Sequence, residues 1–178
     1  MYGEKVEQPA VPTLVVSSIV GWETLPADLR ARVEGHSVVH QHDAETYRKR
    51  AGGDADVLVN AINSMQNSHS TPIALRHPRS GRTILYVSQQ MTRNVEGMSE
   101  DESDGLLFAL FDHLYAPGHE LEHTWRQGDL VIWDNLAMQH ARPNVQTEGP
   151  ARTLRKTITP PPHREKPGII EYSKAGES

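Results

Sequence analysis

A mainly β architecture with flanking helices (α+β) is the fold class the sequence predicts, on three observations. Short runs dense in β-branched residues recur, as in PTLVVSS (12–18) and HSVVHQ (36–41). Gly- and Pro-containing connectors such as HPRSG (77–81) punctuate them. Helical periodicity with recognisable ends is confined to two clear segments, one after Thr24 and one after Ser99.

The elements follow in order. Residues 12–18 read as a buried strand, since no charge interrupts them. Thr24, Leu25 and Pro26 then open a helix. Thr24 can cap it, Pro26 suits its first turn, and Leu25, Leu29 and Val33 recur at i, i+4 and i+8 before Gly35 stops it. Residues 36–41 are a short strand. The stretch 43–70 is polar, carries Gly52 and Gly53, and has a weak helical period at Val57, Leu58, Ile62 and Met65, so a helical or irregular insert is expected there.

Residues 72–76 and 82–88 flank the 77–81 connector and read as a β-hairpin. Ser99 with Glu102 forms a capping box. The helix it opens buries Leu106, Leu107, Leu110, Phe111 and Leu114 and ends ahead of Pro117. Asp101, Glu102 and Asp104 sit in its first turn, where the helix dipole favours negative charge. Residues 120–126 alternate, and are expected to pair with a buried strand at 130–133 across a turn at Gln127 and Gly128. A basic strand follows from Arg152, and the Pro-rich, charged segment 161–178 reads as an exit tail after a single domain at 1–160.

Composition narrows the function classes. A chain of 178 residues is one domain by length. At 37% hydrophobic and 23% charged residues it is ordinary globular protein. A net charge of −5 argues against a nucleic-acid platform, whose footprint would be basic. No apolar run approaches the roughly 18 residues of a membrane span. The N-terminal residues, with Glu4 and Lys5, lack a signal-peptide core, so a cytoplasmic location is expected. With no cysteine, any metal must be held by His, Asp or Glu.

The chemistry concentrates in residues 125–155, WRQGDLVIWDNLAMQHARPNVQTEGPARTLR. His140 projects from a strand end, and arginines follow twelve to fifteen residues later. That pattern suits a metal-bound imidazole beside a guanidinium fork that takes a carboxylate in bidentate fashion. Each residue also has a plainer reading. His140 can be a histidine hydrogen-bonded at a strand end, Arg152 a surface cation, Thr13 an ordinary strand threonine and Arg93 a solvated arginine. His36, His40, His42 and His69 read as solvated or satisfied in the core. Trp133 is expected to fill the core, Asp134 and Asn135 to satisfy a corner that presents His140, and Gly128 to supply turn geometry.

Trp125, Gly128, Asp129, Trp133, Asp134, Asn135, His140 and Arg152 fall in register with W-x-x-G-D…W-D-N-x-x-x-x-H…R. In this the chain resembles the taurine dioxygenase-like (TauD/TfdA) family of Fe(II)/2-oxoglutarate-dependent oxygenases. The resemblance implies a partial double-stranded β-helix, the clavaminate synthase-like jelly roll, lacking its N-terminal part. It implies His140 as an iron ligand, and Arg152 and Thr13 as contacts to 2-oxoglutarate. It places Arg155, Lys156 and Arg93 on the side of a small anionic substrate, with no catalytic group beyond the metal site. The implied activity is hydroxylation of an aliphatic C–H, coupled to decarboxylation of 2-oxoglutarate to succinate.

The family's upstream H-x-D/E pair is missing: no H-x-D occurs, and the single H-x-E, His163 with Glu165, follows the arginine. An inactive isolated chain is therefore expected, and a non-catalytic binding or oligomerising β-module is the alternative. Unpaired strands predict a homo-oligomer.

Overall fold

The computed structural model describes residues 1–41, 68–143 and 150–158. Ten strands and three helices are described: β1 (Tyr2–Val6), β2 (Thr13–Ser17), α1 (Ser18–Glu23), α2 (Ala27–Val33), β3 (Ser37–His40), β4 (His69–Pro72), β5 (Ala74–Arg76), β6 (Thr83–Leu85), β7 (Thr92–Val95), α3 (Glu100–Leu114), β8 (Glu120–His123), β9 (Met138–Ala141) and β10 (Arg152–Arg155). The strands form four small antiparallel sheets, ordered β8-β2-β9, β4-β3-β7, β5-β6 and β1-β10. Short strands with covering helices agree with the predicted class. The expected insert at 43–70 lies mostly outside the described residues, although β4 begins within it.

The central strand β2 earns its place by alternation. Thr13, Val15 and Ser17 face one way, and Leu14 and Val16 the other. Val16 joins the main core with Val38, Ile73, Leu85 and Val95, roofed by Leu106, Leu110 and Leu114 of α3. The Ser99 hydroxyl accepts from the Glu102 amide, and the Glu102 carboxylate takes the Ser99 amide at 3.1 Å, so the capping box forms as read.

Three local expectations are corrected. Thr24 does not cap α2. It closes α1, a six-residue helix with no sequence period of its own, by donating both its amide (2.9 Å) and its hydroxyl (2.8 Å) to the Val20 carbonyl. Gly21 lets α1 lie against α3, since a Cβ there would stand 2.6 Å from Leu114 Cδ1.

Residues 120–126 and 130–133 do not form a hairpin either. β8 pairs with β2, and the Asp129 carboxylate turns back to the Arg126 amide at 2.7 Å, so the chain leaves the sheet. Beyond that turn, β1 captures the backbone: Gly3 donates to the Asp129 carbonyl and Val131 to the Met1 carbonyl, both at 2.9 Å. Leu130 and Ile132 are consequently 67% and 82% exposed, not a buried strand. Trp133 is only partly buried, and Trp125, fully buried, fills the core instead.

Gly3 shows how tight the β1 crossing is. A Cβ on it would meet the Arg126 carbonyl oxygen at 2.7 Å, a backbone atom that cannot swing aside. Gly3→Ala should therefore destabilise the protein by about 1–3 kcal/mol, the usual range for overpacking. Urea denaturation checks this, and an unchanged midpoint would contradict it.

Candidate functional site

The site is assembled around the Thr13 hydroxyl at the start of β2, itself only 3% exposed. The oxygen accepts from the indole N–H of Trp125 at 2.8 Å and from Arg152 Nη2 at 2.6 Å. A hydroxyl has two acceptor sites and one proton, so this O–H is left to donate outward. Arg152 also reaches the Pro12 carbonyl through Nη1 at 3.3 Å, and its guanidinium carbon lies 5.8 Å from the Trp125 ring centroid. Its Nε is buried and has no partner. Burial, and then the nearby Arg142, lower its pKa. An arginine stays charged through such a shift. The result is a held cation with an unpartnered N–H beside a hydroxyl that can donate, a pairing whose chemistry suits a carboxylate.

Strand register places the other residues. Thr13 is opposite His123 on β8, and Val15 is opposite both Leu121 on β8 and His140 on β9. Thr13 and His140 therefore share one face of the sheet. Continuing the β2–β9 register one step sets Arg142 opposite Thr13, on that same face. The His140 ring lies 4.9 Å from that of Trp133, tilted by 54°. Partial desolvation, and then the Lys156 ammonium, lower the His140 pKa. The neutral imidazole so favoured is the form that ligates metals.

Alternation along β10 separates the two following cations. Arg152 and Lys156 fall on one side, while Arg155 turns to the other and takes the Glu4 carboxylate. Arg93 sits on β7, in the separate β4-β3-β7 sheet, and is exposed. The structure thus brings together Thr13, Arg152, His140 and Lys156, and leaves Arg155 and Arg93 apart from them.

The corner residues divide similarly. Asp134 accepts from Leu136, His77 and Arg79. Burial pushes its pKa up, but those three donors outweigh it and the net shift is downward. Asn135 is exposed, and Gly128 has the φ of 90° that its turn requires.

Sequence reasoning missed Arg142, although its i+2 relation to His140 on a strand was a usable signal. It also missed His77, for which no such signal exists. Among the described residues, no three His, Asp or Glu side chains converge where a metal could sit. His163 and Glu165 lie outside the described residues.

The remaining histidines are dispersed. His36 is partly buried and His69 exposed, while His42 lies outside the described residues. His40 is buried, with Nδ1 3.2 Å from Thr92 Oγ1. Burial, helped by His69, brings its pKa down to about 4 against an ordinary 6.5, with the Tyr86 backbone opposing weakly. The folded state therefore takes up this proton later than the unfolded state as pH falls. His40's contribution is complete above pH 6.5 and is lost between there and about 4. The loss expected over that window is up to about 3 kcal/mol. His40→Leu should flatten this part of the stability–pH curve in denaturant titrations. A curve as steep as the wild type's would contradict it.

Four small antiparallel sheets under helices, with Arg152 bonded to Thr13 on the face that carries His140, make a partial jelly roll. The taurine catabolism dioxygenase TauD, TfdA family matches residues 12–158, and the chain belongs to that family. It is 29% identical to pentalenolactone F synthase of Streptomyces arenae, over 83% of this chain and 51% of that protein. It is 30% identical to the alpha-ketoglutarate-dependent dioxygenase cnsM of Penicillium expansum, over 89% of this chain and 44% of the relative. Among solved structures, a taurine dioxygenase from Burkholderia xenovorans superposes with a TM-score of 0.65 at 25% identity, covering 80% of this chain and 45% of that one. The fold is accordingly that of the TauD dioxygenases in part, and the chain spans about half the length of the curated relatives it matches. No helix among the described residues is long and apolar enough to cross a membrane.

Proposed function

We propose that this chain carries the 2-oxoglutarate grip of an Fe(II)/2-oxoglutarate-dependent dioxygenase that hydroxylates an aliphatic C–H of a small anionic substrate. The observation that carries this is the Trp125–Thr13–Arg152 chain, with its free Arg152 N–H. Arg152 and Thr13 hold one carboxylate of the co-substrate. Lys156, on the same side of β10, supplies a cation toward the substrate, and Arg142 adds a second. Arg155, committed to Glu4, and Arg93, on another sheet, have less to support the substrate-side role that the sequence resemblance gave them.

The fit to iron is different. The cofactor, when bound, supplies the oxidising chemistry, but a lone imidazole among the described residues does not make the two-histidine, one-carboxylate set that holds such a metal. Among the described residues His140 is the ligand on offer, and on this reading the isolated chain does not turn over.

The test is an anaerobic titration in two stages. With metal chelated, 2-oxoglutarate should bind saturably by calorimetry. Adding Fe(II) in place of the chelator should produce no visible charge-transfer band. Absence of 2-oxoglutarate binding would refute the carboxylate site, and a saturable band abolished by His140→Ala would refute the incomplete metal site.

A second reading, a non-catalytic binding or oligomerising module, is favoured by one observation. Leu121 on the site face, and Leu130 and Ile132 beside β1, are 66%, 67% and 82% exposed. On this reading the chain forms a homo-oligomer, and light scattering of the purified chain would give a mass above one protomer.

A further inference from the structure

One buried histidine joins the β5–β6 turn to the corner ahead of β9. His77, 5% exposed, lies one residue past β5. Its Nδ1 accepts the amides of Arg79 (3.3 Å) and Ser80 (3.1 Å). Those two bonds commit the ring proton of the neutral imidazole to Nε2. Nε2 lies 2.9 Å from Asp134 Oδ2 and so donates to it.

Asp134 is the hub of the corner. Its second oxygen accepts the Leu136 amide at 3.0 Å, and its carbonyl accepts the Met138 amide at 3.0 Å. Met138 is the first residue of β9 and His140 the third. On the other side of Asp134, the Trp133 ring lies against the His140 ring. The Asp134 carboxylate holds the Leu136 amide and its carbonyl the Met138 amide, so this residue fixes the backbone entering β9 and is next in sequence to the aromatic wall beside the imidazole. Arg79 also reaches Oδ2 at 2.8 Å, but its side chain is 72% exposed against 6% for His77. Solvent weakens the first contact and spares the second.

We propose that His77 is a positioning residue for His140. It holds Asp134 so that the 134–138 turn and Trp133 aim the imidazole across the Thr13–Arg152 face. The inference rests on the reading of His140 as the ligand-bearing imidazole, since a ligand is useful only when held to within about 0.5 Å. A histidine that merely stabilised the β5–β6 turn would leave His140 where it is.

The experiment compares histidine-ring NMR spectra and amide hydrogen exchange at one pH, with no metal or 2-oxoglutarate added. His140→Asn assigns the His140 ring signal. In His77→Leu that signal should move, and the Gln139 and His140 amides should exchange faster by about tenfold or more, while the α3 amides keep their protection. His77→Gln, whose side-chain N–H can still reach Asp134, should restore most of both, and Arg79→Ala should change neither. A folded His77→Leu protein with the wild-type His140 signal and β9 exchange would overturn the proposal. If His77→Leu does not fold, Asp134→Asn carries the same test. It keeps the acceptor for Leu136 but sets an amide N–H against Nε2–H, and an unmoved His140 signal there would equally overturn it. Because neither readout needs a bound ligand, failure here leaves the carboxylate site standing, and failure of that site leaves this test intact.

Discussion

Trp125→Ala should cost about 3–5 kcal/mol of stability, the largest loss expected from any single truncation in the described residues. The indole is fully buried, and it supports three neighbours at once. Its N–H holds the Thr13 hydroxyl, its face lies beneath the Arg152 guanidinium, and its edge sits 3.5 Å from where a Gly3 Cβ would be. Its carbonyl takes the Gln8 side-chain amide at 2.8 Å, which ties down the segment after β1. Removing the ring opens a cavity beside Gly3 of β1 and beneath the Thr13–Arg152 pair. Trp125→Phe separates the two parts of the effect. It keeps most of the apolar volume but leaves Thr13 without one donor, at a cost of about 1 kcal/mol for that bond. Trp133→Ala, at a partly buried position, should cost less than Trp125→Ala. Guanidinium denaturation of the three variants gives the order, and a Trp133 loss equal to that of Trp125 would contradict the assignment of the core tryptophan.

Arg152→Ala should lower affinity for 2-oxoglutarate by about a hundredfold or more, as expected when one partner of a desolvated charge pair is deleted. Arg152→Lys should not restore it. A single ammonium cannot bond Thr13 and Pro12 and still present a fork to a carboxylate. Arg155→Ala should leave the affinity unchanged, because its guanidinium is occupied by Glu4 on the opposite side of β10. Calorimetry with metal chelated measures all three. Equal losses from Arg152→Ala and Arg155→Ala would mean that the two faces of β10 are assigned the wrong way round.

Much of this was legible in the chain itself. The Ser99 capping box and the leucines of α3 lie close together in sequence and obey one period, so local rules sufficed to place them. The family resemblance implies one shared ligand for Thr13 and Arg152, 139 residues apart; the structure adds their direct hydrogen bond. What could not be read was decided by competition between distant segments. Residues 130–133 look like a buried strand by composition, yet β1 claims their backbone, and Leu130 and Ile132 face solvent. Thr24 has the chemistry of an N-cap and serves as the end of a different helix. Trp125, and not Trp133, is the buried ring, and its N–H meets the Thr13 hydroxyl of distant β2. The role of His77 depends on a turn conformation that brings two amides onto one ring nitrogen, for which five letters of sequence give no hint.

The pairing of β1 with β10 bears on how such chains can be compared. β10 takes its register from β1, with Gly3 opposite Leu154 and Val6 opposite Arg152, and the extra residue Glu4 reaching Arg155. Which of its side chains lie on the Thr13 side is therefore dictated from the N-terminal side of the fold, and not by counting forward from His140. The segment between the imidazole and the guanidinium can gain or lose residues without rotating the cations, provided the pairing with β1 holds. A motif defined by a fixed spacing between His140 and Arg152 would overlook chains that keep the same β1–β10 register.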